Sequence, residues 1–262
     1  MFSGRILRAV MCLAMFLFAQ VSQANDGRGV KLFLPENLDV KGIQIPITPQ
    51  IESVLRYIQR ETKIKFSIVY LPWKRAQIEV KQGNGILYGF SKSTERLESY
   101  RFSVPVITLN IWAISYGPNS GNLAELNDLK GKIVISSLGI SHGIEFERAR
   151  NQLFVVQEDF LTIQERFKKL IAQKNSVMLI PVRQELSREQ AEEVLHRQTI
   201  TEFNDPDFSG RKFNISQNPM FYDTIHFASS KNHFQDVMNK IDLAIQRGMK
   251  NGSLPKVLRE YR

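Results

Sequence analysis

The chain has 262 residues and a formal net charge of +9, with 35 Lys and Arg against 26 Asp and Glu. That length suits one large domain or two small ones. Basic and acidic side chains are interleaved, as in Glu145, Glu147, Arg148 and Arg150, so the excess reads as solvated helix faces. It does not form the basic stripe with aromatics that nucleic-acid binding requires, and no nucleic-acid partner is expected.

The first 24 residues read as an export signal. Arg5 and Arg8 form a charged start, residues 9–18 an apolar stretch, and Ser22-Gln23-Ala24 a cleavage site before Asn25. Cys12, the single cysteine, lies inside this segment, so the exported chain carries neither a disulfide nor thiol chemistry. Removal of the segment takes away two arginines and lowers the charge to about +7. The expected destination is the bacterial periplasm.

Strand-like runs fall at 31–35, 65–71, 85–91, 107–115, 132–138, 153–158, 176–181, 199–203 and 224–229, with helical patterns between most of them. Thr48 caps a helix that begins with Pro49 and buries Ile51, Val54, Leu55 and Ile58. Thr162 with Glu165, and Ser187 with Gln190, make capping boxes for two more. Near the end, Phe234, Val237, Met238, Ile241, Ala244 and Ile245 line one helix face, which Gly248 is expected to stop. Alternating strands and helices predict an α/β fold with mostly parallel sheets. Two soft segments, 117–127 and 204–218, bracket a central block, which predicts two lobes with two chain crossovers; a single sheet with two surface loops is the alternative.

The stretch from Gly83 to Pro105 carries the most chemistry. An apolar strand ending at Phe90 opens into a turn with Ser91, Ser93 and Thr94, followed by Arg96. Hydroxyls, free backbone N–H groups and a guanidinium fork at the end of a strand suit a carboxylate or phosphate.

This stretch resembles the G-x-x-D…S-x-T-x-E-R…F-S-x-P block of the type II periplasmic solute-binding proteins, the amino-acid-binding branch of ABC-transporter receptors (extracellular solute-binding family 3). Three further blocks in the family's order strengthen the likeness. Asp128-Leu129-Lys130-Gly131-Lys132-Ile133-Val134 is similar to the start of the second lobe, and Gly139-Ile140-Ser141-His142 stands where the family has a turn at a helix start. The tail from Ile241 to Arg262 resembles the family's closing motif. The resemblance implies an α/β, two-lobed type II fold, each lobe a mixed or mostly parallel sheet flanked by helices. The first lobe would comprise 25–111 and 218–262, the second 112–217, with hinges near 112–115 and 207–217.

The same resemblance implies that Arg96 meets the ligand's carboxylate, with Ser91 beside it and Ser141 and His142 on the second lobe. Phe90, Trp73 and Arg75 would line the cleft; Leu71-Pro72-Trp73-Lys74-Arg75 is similar to a P-W-x-R run of many family members. Trp73 also fits plain packing within the lobe. The implied role is capture of a small anionic or amino-acid-like solute by a monomer, for an inner-membrane ABC permease or a sensor. No cofactor and no metal is expected. The chain departs from the family at three places: Ile86 replaces an aspartate, Leu34-Pro35-Glu36-Asn37 replaces an aromatic motif, and Pro181 stands where an acid would hold a ligand ammonium group.

One alternative is enzymatic. Gly139-Ile140-Ser141-His142-Gly143 fits G-x-S-x-G, the nucleophile elbow of serine hydrolases. Asp205, Asp207 or Asp223, followed by His226 or His233, would supply the usual chain order. Without an upstream oxyanion segment, binding remains the favoured reading.

Overall fold

A computed structural model describes residues 29–39, 41–117, 123–197, 199, 203 and 205–259. The export signal expected at 1–24 lies outside the described residues, and among these no helix is long and apolar enough to cross a membrane.

One ten-stranded mixed sheet runs through the molecule, in the order β2-β1-β3-β10-β5-β8-β6-β7. Its strands are β1 (Val30–Pro35), β2 (Phe66–Leu71), β3 (Ile86–Phe90), β4 (Tyr100–Phe102), β5 (Ile107–Tyr116), β6 (Ile133–Ser137), β7 (Val155–Asp159), β8 (Ser176–Arg183), β9 (Phe213–Ile215) and β10 (Phe221–Ser230). At one end β2, β1 and β3 run parallel; at the other β8, β6 and β7 do. Two ten-residue strands, β5 and β10, join these triplets as an antiparallel pair in the middle. Helices supply the parallel crossovers, as parallel strands require: α1 (Pro49–Thr62) and α2 (Trp73–Lys81) in the first half, α5 (Ile163–Ala172) in the second. The short α3 (Thr94–Ser99) and α4 (Ile144–Ala149) follow β3 and β6, and α6 (Arg188–His196), α7 (Gln235–Asn251) and α8 (Ser253–Arg259) complete the set.

The expected caps form. Thr48 Oγ1 accepts the Ile51 N–H, and both capping boxes close, at Thr162 with Glu165 and at Ser187 with Gln190. Satisfying the free N–H groups of a first turn in this way fixes where each helix begins.

Apolar packing divides into two halves. Leu32, Val54, Tyr57, Ile86, Phe227 and Ile241 belong to one group of cores, into which Ile107 and Ile225 also pack. Ile111, Val134, Phe146 and Phe221 belong to the other, joined by Trp112, Phe167 and Phe208 on the opposite face of the sheet. The chain therefore changes halves along β5, between Ile107 and Ile111, and returns along β10, between Phe221 and Ile225. Residues 207–217, expected at the return crossover, instead lie inside the second half: Phe208, Phe213 and Ile215 are buried there, and β9 pairs with the end of β5.

Three local expectations change. A strand at 199–203 does not form at its described start, since the Thr199 hydroxyl bonds back to the carbonyls of Leu195 and His196, continuing the helical turn; residues 200–202 lie outside the described residues. Gly248 does not stop α7, which runs to Asn251 and ends at the left-handed Gly252. Gly248 is small for another reason: a Cβ there would come within 2.1 Å of the Tyr57 hydroxyl. Pro181 is not at a strand end, because β8 continues to Arg183. It lies past Met178, the last residue of β8 paired with β6, so its missing N–H breaks no ladder on that side.

Candidate functional site

The carboxyl ends of β3 and β6 face each other across the boundary between the halves, and the side chains there converge on Arg96. In the first half, β3 delivers Phe90 and Ser91. The Ser93 hydroxyl then caps α3 by accepting the Arg96 N–H at 3.2 Å, which sets the helical turn that carries Arg96. The guanidinium lies over the Phe90 ring, 4.2 Å from its centroid. Phe90 is itself fixed by edge contacts with Trp73 and Tyr100 and by stacking on Phe102.

Arg96 spans the boundary. Its Nη1 donates to the Ser91 carbonyl at 2.8 Å and its Nη2 to the Gly139 carbonyl at 2.8 Å. Burial pulls its pKa down to about 10, against the opposing pull of Glu147 and Asp223, so it remains a cation at neutral pH. Among the described residues no carboxylate forms an ion pair with it.

Ser91 is buried, and its hydroxyl donates to Asp223 Oδ2 at 2.5 Å. Asp223 Oδ1 accepts the Thr224 N–H at 2.7 Å. Burial raises the Asp223 pKa to about 6, opposed by those two hydrogen bonds and by the charge of Arg96. Asp223 also packs against the turn of the second half: a Cβ at Gly143 would meet its Oδ1 at 2.9 Å. Sequence reasoning weighed Asp223 only for a hydrolase triad. In the sequence Asp223 is one of several polar positions of β10, with Thr224 and His226 following it, and no local signal sets it apart.

From the second half comes the turn Ser137-Leu138-Gly139-Ile140, closed by the Ile140 N–H on the Ser137 carbonyl at 3.1 Å. Gly139 has φ +80°, the left-handed value that glycine takes readily at this place in a tight turn. Its carbonyl also accepts Gln77 Nε2 at 2.9 Å, so two side chains of the first half meet on one oxygen of the second. Ile140 packs against the core that holds Trp73 and Phe90. Gln77 escaped the sequence reading because an amide inside an amphipathic helix looks like any other polar position.

Ser141 and His142 are buried in the same turn. Ser141 Oγ accepts the Gly143 N–H at 3.3 Å. His142 lies edge-on to Phe146, and burial, helped by Arg96, lowers its pKa to about 4, leaving it neutral. The hydrolase arrangement is not assembled. His226 is occupied by the Ser103 carbonyl and Thr224 Oγ1, and His233 Nδ1 by Ser230 Oγ. Asp205 pairs with Lys168, and Asp207 does so as well.

Two expected wall residues sit differently. Trp73 is 8% exposed within the core of the first half, the packing role that the sequence left open. Arg75 points to solvent and pairs with Glu79 one turn along α2, outside the group around Arg96. Among the described residues no three His, Cys, Asp or Glu side chains come together as a metal site.

No protein-family model matches the sequence, and no curated protein matches it. Solved structures do match the fold. A histidine kinase sensor domain with similarity to periplasmic binding proteins superposes with a TM-score of 0.65 at 15% identity, over 89% of this chain and 96% of that one. The amino-acid ABC transporter substrate-binding protein AbpA from Streptococcus pneumoniae, bound to L-arginine, gives 0.62 at 18% identity, over 90% and 94%. The GluR0 ligand-binding core from Nostoc punctiforme, in complex with L-glutamate, gives 0.62 at 14% identity, over 88% and 98%. The chain has the fold of the type II periplasmic binding proteins.

Proposed function

We propose that the two halves act as lobes that capture a small solute through an anionic group, and that Arg96 holds that group. The observation that carries this reading is a partly buried guanidinium at the lobe boundary, with its fork on two neutral carbonyls and, among the described residues, no carboxylate paired with it. A cation drawn out of water is costly until a counter-charge reaches it, so a solute carboxylate or phosphate gains more there than on an exposed arginine. Asp223, Ser91 and Ser141 lie around the same boundary and would contact the remainder of the solute.

Export belongs to the same proposal: the periplasmic chain begins at Asn25, acts as a monomer, and hands its solute to an ABC permease or reports it to a sensor. Matching structures include a component of each kind, a transporter's binding protein and a kinase sensor domain. Amino-terminal sequencing of the exported protein checks the first step, with Asn25 as the expected first residue.

A thermal-shift screen of organic acids, amino acids, peptides and polyamines tests capture. Solutes with a carboxylate or phosphate should raise the melting temperature of the parent and not of Arg96→Ala. A solute that stabilises both proteins equally would remove Arg96 from the site.

A further inference from the structure

Two side chains of the first lobe hold the Gly139 carbonyl across the boundary, Gln77 through Nε2 at 2.9 Å and Arg96 through Nη2 at 2.8 Å. The oxygen is presented firmly. The N–H of its own peptide unit, on Ile140, is bound to Ser137, and the Gly139 N–H donates to Glu158 Oε1 at 3.1 Å. Glu158 is in turn fixed by Arg150 at 2.8 Å. The backbone of Gln77 is held as well, since its main-chain carbonyl accepts the Tyr100 hydroxyl at 2.8 Å. Beside this oxygen, Ile140 seats its side chain against the first-lobe core.

We infer that this oxygen is a built-in latch: without solute, the Gly139 carbonyl occupies Gln77 and Arg96 and holds the two lobes shut. The inference deepens the proposed capture function and rests on it for its meaning, because a solute oxygen seeking Arg96 meets a fork already in use. Solute entry then requires the latch to open first. A carboxylate can replace the carbonyl on Arg96, because an ionised acceptor binds a guanidinium more strongly than a neutral one. These two hydrogen bonds and the Ile140 contact thus add to the closed form's population, and a change that removes one of the two donors shifts it toward the open form.

Distance measurement between spin labels tests this without any solute. Cysteines replace the solvent-exposed Lys81 at the end of α2 and Arg148 on α4, in a Cys12→Ser background of the full chain. The solute-free parent is expected to show one short distance. Gln77→Leu, which deletes one donor and leaves Arg96 in place, is expected to replace it with a longer distance in most molecules. Should Gln77→Leu fail to fold, Arg96→Lys, which keeps the charge and loses the planar fork, gives the same reading. A parent that is already at the longer distance, or a variant that keeps the short one, would overturn the latch. Neither result bears on solute capture, which fails separately if Arg96→Ala retains its solute-induced thermal shift.

Discussion

Arg96 and Arg101 are five residues apart and serve opposite ends of the same short segment. Arg101 leaves β4 toward α7, where its Nη2 meets Asp242 at 3.2 Å and Asn239 Oδ1 at 2.6 Å, and Asp242 also accepts the Val104 N–H at 2.7 Å. Every partner is supplied by the fold, so Arg101 ties a helix to a sheet edge. Arg96 leaves α3 toward the lobe boundary, where among the described residues its hydrogen-bond acceptors are carbonyl oxygens and it lies over an aromatic face, with Glu147 and Asp223 acting on it through charge but not paired to it. A completed charge network marks a structural arginine; an incomplete one at a boundary marks a place for something else to bind. Sequence proximity and residue type are shared, and only the partners separate the two roles.

This contrast can be broken by substitution. The largest effect belongs to Arg96→Met, which should weaken binding of an anionic solute by about 2 kcal/mol, roughly 30-fold, through loss of a charge-assisted pair. It should also lower stability by about 1.5 kcal/mol, because the Ser91 and Gly139 carbonyls lose a charged donor. Arg101→Met should lose stability alone: denaturant titration should show a loss of about 1.5 kcal/mol from its hydrogen bonds to Asp242 and Asn239, with solute affinity unchanged. Loss of affinity in Arg101→Met would place Arg101 in the binding site and erase the distinction. Thr162→Ala removes a cap in the second lobe, remote from both arginines, and should cost about 1 kcal/mol with no effect on affinity.

A smaller, pH-dependent effect sharpens the role of Asp223. Its folded pKa is raised by burial to about 6, above the ordinary carboxylate value, so the folded state holds the proton more tightly than the unfolded chain does. Below pH about 4 the carboxyl is protonated in both states; as pH rises toward 6 the unfolded chain ionises first, and Asp223 costs the fold stability. Melting curves of Asp223→Asn should therefore gain on the parent between pH 4 and 6 and stay level above it. His142 and His226 act with the opposite sign over an overlapping range, since burial lowers both to about 4 and their neutral forms favour folding as pH rises. Comparing variant with parent at each pH cancels their contribution.

Much of the fold was legible because its signals are local. Thr48, Thr162 and Ser187 placed three helix starts, and alternating apolar runs placed the principal strands. What misled was local too. Gly248 looks like a stop signal, but its reason lies nearly two hundred residues away in Tyr57, which no helical pattern reveals. The run at 199–203 has strand-forming residues, yet the Thr199 hydroxyl turns back to carbonyls behind it. The return crossover was misplaced because a polar segment rich in Asp and Asn marks a loop without saying which core its two aromatics enter, and Phe208 and Phe213 enter the second.

In the site, the Ser91–Arg96 turn could be read from residue chemistry, while its neighbours depended on tertiary placement. Gln77 and Asp223 become visible only when α2 and β10 are brought against the Gly139–Gly143 turn. Conversely Trp73 and Arg75, adjacent in a motif, separate into a buried packing residue and a solvated one because they sit on different faces of α2.

The difference between the two arginines is tested most directly by calorimetric titration of the strongest anionic hit from the solute screen into the parent and into Arg96→Met. If Arg96 holds the anionic group, the solute should bind the variant about 30-fold more weakly than the parent. Equal dissociation constants would contradict it and leave Arg96 as structural as Arg101.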